Sequence, residues 1–207
     1  SSSAELDQLI AAGAGDHARF DLDLAEEDSI KACARAALTW AGKPVGLVNC
    51  AALAAGSLFS MTRMADMRAL FEVNLFGPLL FSQSVVKKML RAKQGSVVNI
   101  ASTAGLLADV GTLSYGGSKA ALIHATKVMA QELGSFGIRV NAIAPTVVET
   151  DMAAQMDPAA RAALDARSAL PGGIAPSDVA DLTVFLLSDQ AAKITGQVMR
   201  LDRGLPF

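Results

Sequence analysis

Ser102, Tyr115 and Lys119 are the residues whose types and spacing could move a proton. Tyr115 is the only tyrosine in the chain, and Lys119 follows it four positions on in Tyr-Gly-Gly-Ser-Lys. On a helix that spacing puts both side chains on one face, a turn apart. A free phenol has a pKa of roughly 10 and keeps its proton at neutral pH. A neighbouring ammonium favours the phenolate, so Lys119 is expected to lower that pKa and bring proton exchange within reach of neutrality. Ser102 lies thirteen positions before Tyr115 and could hydrogen-bond a substrate carbonyl oxygen to which Tyr115 donates. By itself such spacing arises by coincidence, and a tyrosine at a helix start is usually core or rim. The argument for chemistry needs the fold.

The elements that must position these groups alternate short β-branched runs with longer helical ones. The pattern predicts a short helix over residues 4–12, a short strand over 17–21 and an amphipathic helix over 26–40 with acids in its first turn. A buried strand follows at 45–49, then a long helical region at 62–91 that Gly77-Pro78 should bend. Residues 96–101 read as a strong strand, and 114–136 as a long helix with Leu122, Ala125, Met129 and Leu133 at helical spacing. Gly137 ends that helix, and 138–143 is the next strand. Residues 150–169 are rich in Ala and Met and partly helical. A helix at 176–187 and a strand at 197–201 close the chain.

Such alternation implies an α/β fold: a doubly wound, parallel, Rossmann-like sheet with helices on both faces. The near-continuous apolar character of 97–100 and 140–143 agrees, because strands covered on both sides are buried throughout. Ligands in these sheets bind beyond the carboxyl ends of the strands. Function is therefore expected just after Val48, Ile100, Ile143 and Leu201, and Ser102 falls at such an end. There is no repeat and no linker, so residues 1–207 read as one domain.

Composition narrows the classes further. The chain has 207 residues, 52% hydrophobic and 18% charged, which is a globular balance and the reverse of a disordered one. A net charge of −2 without a basic tract gives no footprint for nucleic acid. No uninterrupted apolar run of about 18 residues indicates a membrane span, and the start lacks the basic and apolar regions of a signal peptide. A cytoplasmic location is expected. Cys33 and Cys50 read as reduced thiols filling the core. Asp151, Asp157 and Asp165 are scattered with no metal-site pattern, so no metal is expected. His17 has no partner at ligand spacing, and His124 suits a surface or interface. Met152, Met156 and the alanines around them form either a flap over substrate or an ordinary surface helix.

With Ser102, Tyr115 and Lys119 in this order and separation, the chain resembles the short-chain dehydrogenase/reductase family. Phe71-Glu72-Val73-Asn74-Leu75-Phe76-Gly77 resembles the family's Asn-bearing helix segment. Val48-Asn49-Cys50-Ala51-Ala52 matches its Asn-Asn-Ala-Gly strand end in part. Arg139 to Pro145, followed by Val148 and Thr150, resembles the segment that folds over the nicotinamide, and Ile194 to Gly204 the closing strand. The resemblance covers the whole chain and points to the 3-oxoacyl-acyl-carrier-protein reductase-like branch. It implies an NAD(P)-dependent oxidoreductase acting on a small carbonyl or the matching secondary alcohol. Asn74, Ser102, Tyr115 and Lys119 would be its catalytic residues, with Tyr115 as acid or base and Ser102 positioning the carbonyl. Lys119 would also reach the nicotinamide ribose, and Asn74 would hold a water linking Lys119 to solvent. Asp21 and Leu22 would meet the adenine, Asn49 and Ala51 would line the neighbouring wall, and Pro145, Val148 and Thr150 would meet the nicotinamide. The hydride belongs to the cofactor. The long helices at 62–91 and 114–136 resemble those that pair in the family's homotetramer.

The departures are specific. The family opens with a strand, a Gly-x-x-x-Gly-x-Gly turn and a helix that takes the pyrophosphate on its N-terminus. That pattern is absent here, and family spacing implies roughly 35–40 further residues, about one βαβ unit, in an N-terminal extension. Cys50 and Ala52 replace Asn and Gly in the strand-end motif. Thr146 replaces the Gly after Pro145, and Arg203 replaces the first Gly of Asp-Gly-Gly. None touches the proton-transfer residues. Ser1-Ser2-Ser3 carries no acid that would select NAD, so the reading leans to NADP. Two other readings stay open: a catalytically silent nucleotide-binding relative, and an epimerase or dehydratase using the same Tyr and Lys.

Overall fold

The structure is a computed structural model, and it describes residues 8, 10–13, 15–154 and 156–206. Helix α1 (Glu27–Ala41) leads into strand β1 (Gly46–Asn49). Helix α2 (Met64–Phe71) runs through a π-helical turn (Glu72–Phe76) into α3 (Gly77–Ala92). Strand β2 (Gly95–Ile100), helix α4 (Leu113–Leu133) and strand β3 (Ile138–Pro145) follow. Short helices α5 (Asp151–Ala154) and α6 (Pro158–Arg167) precede α7 (Pro176–Leu187) and strand β4 (Val198–Leu201). The sheet is parallel throughout, in the order β1-β2-β3-β4.

Parallel pairing needs crossovers, and these helices cover both faces. Val85, Val86 and Met89 of α3 and Ala130 of α4 pack on Val97 and Val140 on one side. Leu186 of α7 packs on Val98 and Ile143 on the other. Val97, Val98, Val140 and Ile143 have no exposed surface, as their apolar runs foretold. The edge strands β1 and β4 are only half-covered.

Three expectations need correction or refinement. Residues 17–21 form no strand: a strand exists by its ladder, and among the described residues this segment has no sheet partner. It runs irregular and mostly exposed, anchored by the Phe20 ring edge-on to Trp40, centroids 6.4 Å apart. Of the helix expected at 4–12, residues 8 and 10–12 are helical, while 4–7 and 9 lie outside the described residues. The bend expected from Gly77-Pro78 takes the form of the π turn just before it. Pro78 has no N–H to offer the carbonyl of Asn74 four residues back, so the helix widens there.

The helical region Met64–Ala92 is, among the described residues, long and apolar enough to cross a membrane, with a mean hydropathy of 1.3 over its most apolar window. Yet 44% of that window is buried inside the domain. It packs between α1 and the sheet as a core helix would.

Candidate active site

Ser102 follows the carboxyl end of β2, and its backbone is extended before a single 3-10 turn at Thr103–Gly105. Its Oγ accepts the Ala104 N–H at 3.1 Å, which fixes the rotamer toward the helix opposite. That helix is α4, with Tyr115 and Lys119 in its first two turns. The Ser102 side chain lies beside the Tyr115 phenol, close enough to favour the phenolate, and the Lys119 Nζ lies 5.9 Å from the centre of the Tyr115 ring. The structure therefore brings the three residues together at the carboxyl end of β2, beside its neighbour β3.

The electrostatics run against the expectation from spacing. Burial raises the Tyr115 pKa above the ordinary phenol value, and the neighbouring Ser102 side chain offsets only part of that. Lys119 is 2% exposed, and burial lowers its pKa to about 8, with the Cys50 thiol opposing the shift. Its Nζ donates to the backbone carbonyl of Ile100 at 2.7 Å. The ammonium thus faces a strand-end carbonyl, and low polarity around both groups outweighs its pull on the phenol. Tyr115 holds its proton at neutral pH.

Asn74 is 1% exposed, and its side chain is fully satisfied by protein. Its Oδ1 accepts the Leu53 N–H at 2.8 Å, and its Nδ2 donates to the Leu53 carbonyl at 2.8 Å and to Ser118 Oγ at 3.1 Å. Ser118 in turn donates to the Tyr115 carbonyl at 2.8 Å. Asn74 therefore reaches the catalytic helix through Ser118, not through Lys119. Pro78, four residues on, has no N–H to donate to the Asn74 backbone carbonyl.

A second polar chain crosses the sheet. Asn49 Nδ2 donates to Ser82 Oγ at 2.9 Å and to Asn99 Oδ1 at 2.8 Å. Asn99 Nδ2 donates to Thr126 Oγ1 at 2.8 Å, and Thr126 donates to the Leu122 carbonyl at 2.8 Å. The Asn49 amide nitrogen is thus committed to joining β1 to α3 and β2 and, through Asn99, to α4. Ser82, Asn99, Ser118 and Thr126 do not emerge from the sequence as members of the site. Asn99 carries a visible signal, a polar residue in a strand otherwise buried and apolar. Ser118 carries a weaker one, standing directly before Lys119 in the Tyr-Gly-Gly-Ser-Lys segment.

The remaining positions fall around this centre to different degrees. Ala51 is exposed just beyond β1, and Pro145 ends β3 in a buried position. Val148 bridges to Ile174, and exposed Thr150 donates to the Val148 carbonyl at 3.2 Å. Asp21 and Leu22 are exposed in the irregular segment before α1, outside the sheet. Cys33 is buried and Cys50 exposed, so Cys50 is no core filler. Among the described residues no cluster suits a metal.

Hydroxyl, phenol and ammonium converge with the carboxyl ends of β1, β2 and β3, and this donor set fits a nicotinamide and its ribose. Among the described residues no glycine-rich turn leads from a strand into a helix N-terminus, so the pyrophosphate half finds no such cradle. A helix-covered parallel sheet with these groups at its strand ends is the architecture of a nucleotide-dependent oxidoreductase. A family model described as enoyl-(acyl carrier protein) reductase matches residues 2–206. The 3-oxoacyl-[acyl-carrier-protein] reductase of Thermotoga maritima is 34% identical over 99% of this chain and 84% of its own length. A short-chain dehydrogenase/reductase structure from Mycobacterium ulcerans superposes with a TM-score of 0.90 at 30% identity, over 96% of this chain and 74% of that one. A 7α-hydroxysteroid dehydrogenase solved with NADH and a 7-oxo bile acid gives a TM-score of 0.88 at 31% identity, over 97% of this chain and 77% of that one. The chain belongs to the short-chain dehydrogenase/reductase family, near its 3-oxoacyl-acyl-carrier-protein reductase-like members, and is an NAD(P)-dependent oxidoreductase of carbonyls and alcohols.

Proposed function

We propose that this protein works as a carbonyl reductase, with Tyr115 as the proton donor. The observation that carries the reading is the half-buried, protonated Tyr115 phenol beside Ser102 at a strand end. A ketone oxygen placed between the two hydroxyls would accept from both. The phenol proton passes to that oxygen as negative charge develops on it, while Ser102 holds the oxygen in line. Lys119, still mostly protonated at pH 7 with a pKa of about 8, supplies positive charge within a turn of the phenolate that results. The backbone carbonyl of Asn74 would hold a water through which the proton is replaced. The bound nicotinamide supplies the hydride.

Pro145, Val148 and Thr150 would face the nicotinamide, Asn49 and Ala51 the wall beside it, and Asp21 and Leu22 the adenine. The relatives named as 3-oxoacyl-acyl-carrier-protein reductases favour a β-keto substrate; the cofactor would be NADP or NAD with a lean to NADP, although the hydroxysteroid dehydrogenase structure holds NADH. The protein would work in the cytoplasm. Exposed apolar side chains such as Met64, Phe76 and Val128, on α2, the π turn and α4, suit pairing into a homotetramer.

Oxidation of NADPH and NADH by the purified protein against a panel of ketones and β-ketoesters tests this. Tyr115→Phe should cost about 10²–10⁴ in turnover while cofactor affinity holds. Retention of most activity by Tyr115→Phe would remove the mechanism. Conversion of substrate without net cofactor consumption would point to an epimerase or dehydratase instead.

A further inference from the structure

Arg203 carries two local costs. Its φ of 58° lies in the left-handed region, which disfavours any residue with a Cβ. Its Nε is buried without an acceptor among the described residues. An observed outlier of this kind invites the question of what holds it there. The guanidinium donates to the carbonyls of Leu170 and Gly172 and pairs with Asp165 near the end of α6. Its backbone carbonyl accepts the N–H groups of Ala169 and Leu170, each at 2.9 Å. At the next position, a Cβ on Gly204 would stand 3.0 Å from that of Ala169. One residue beyond β4 therefore grips residues 165–172 by backbone and side chain together.

The same segment reaches across the site at its other side. Arg167 lies 3.6 Å from Asp109, in the loop between Ser102 and Tyr115. The Asp109 carbonyl accepts the Thr112 hydroxyl at 2.7 Å, and the Thr112 carbonyl accepts the Gly116 N–H at 2.6 Å. The segment leaves the carboxyl end of β3, touches the loop leading into Tyr115, and returns to Arg203 beyond β4. It therefore joins the loop between Ser102 and Tyr115 to the turn beyond β4.

We propose that Arg203 is a positioning residue that pins α6 and the following turn across the Ser102–Tyr115 cleft, and so limits the length of the carbonyl substrate admitted. The proposal rests on the reductase reading for its substrate class, but the pinning is independent of turnover. Arg203→Gly suits the local φ, keeps the backbone carbonyl contacts and removes only the side chain's part of the grip, so the variant folds. Amide exchange over residues 165–172 should accelerate about tenfold in the full-length variant, with the β2 and β3 amides unchanged. Asp165→Asn, which weakens one contact of the set, should give an intermediate rate. In turnover, the ratio of KM for a long-chain to a short-chain β-ketoester should fall several-fold, with kcat on the short ester unchanged.

Unchanged exchange in Arg203→Gly overturns the pinning. Faster exchange with the same KM ratio overturns the role in substrate length. A wild-type protein that reduces no carbonyl removes the reductase reading and the length limit with it, while exchange alone still decides whether Arg203 holds the segment.

Discussion

The Lys119 ammonium donates to the backbone carbonyl of Ile100 at 2.7 Å, so the helix that carries the phenol is tied to the end of the strand that leads to Ser102. This bond, together with the close packing of Ala104 on Gly116, fixes the distance between the two halves of the candidate site. It also binds a cation in a place with almost no solvent.

That burial has a pH signature. The Lys119 pKa is lowered from 10.5 to about 8 in the fold. Between those values the unfolded chain binds more protons than the native one, so stability rises with pH across this window. The penalty of the buried charge is fully present below pH 8 and gone above the unfolded value. The gain amounts to about 3 kcal/mol at most, because each tenfold change in proton affinity is worth about 1.4 kcal/mol. Urea denaturation of the ligand-free protein from neutral to alkaline pH, compared with Lys119→Met, isolates the effect. The difference between the two should shrink as pH rises toward 10, and a parallel pair of curves would show that Lys119 is not the group responsible.

Ser118 offers a test of how Asn74 is coupled to the site. Its hydroxyl accepts from Asn74 Nδ2 and donates to the Tyr115 carbonyl, and it has no exposed surface. Ser118→Ala leaves one buried Asn74 N–H without a partner, which costs about 1–3 kcal/mol. Because the lost bond joins the π turn to the first turn of α4, kcat should fall with little change in cofactor affinity. Ser118→Thr keeps the hydroxyl and should restore most of kcat if its methyl is accommodated. Loss of stability with kcat intact would make Ser118 structural only.

The candidate proton-transfer residues are legible in the sequence because their chemistry is tied to residue type: one tyrosine, a lysine a turn away, and a serine after an apolar strand. The central strands are legible for a similar reason, since Val97, Val98 and Val140 can only be buried on both faces. Residues 17–21 mislead because their alternation is local, whereas a strand requires a neighbour that no periodicity supplies. The acidity of Tyr115 misleads in another way. Spacing places the ammonium correctly, but the degree of burial decides which effect wins, and burial is a property of the packed whole. The grip of Arg203 is visible in the sequence only as an odd residue near the C-terminus; its partners lie more than thirty positions away in the chain.

The glycines after Tyr115 separate alignment from mere helix formation. A Cβ on Gly116 would stand 2.4 Å from the Ala104 carbonyl oxygen, a backbone atom two residues beyond Ser102. Gly116→Ala must therefore push the Ser102 loop away from α4 or deform the helix start, moving the Ser102 and Tyr115 hydroxyls apart. A Cβ on Gly117 meets only the Phe71 ring at 3.5 Å, an ordinary contact. Replacing a mid-helix glycine by alanine stabilises a helix by about 0.5–1 kcal/mol when space allows. Gly117→Ala should thus match or exceed the parent in thermal stability and retain its kcat. Gly116→Ala should lose stability by about 1–3 kcal/mol through overpacking and lose at least tenfold in kcat, because about 1.4 kcal/mol of lost transition-state alignment is already tenfold. Equal kinetics in the two variants would mean that the close approach of Ala104 to α4 is not what aligns the hydroxyls.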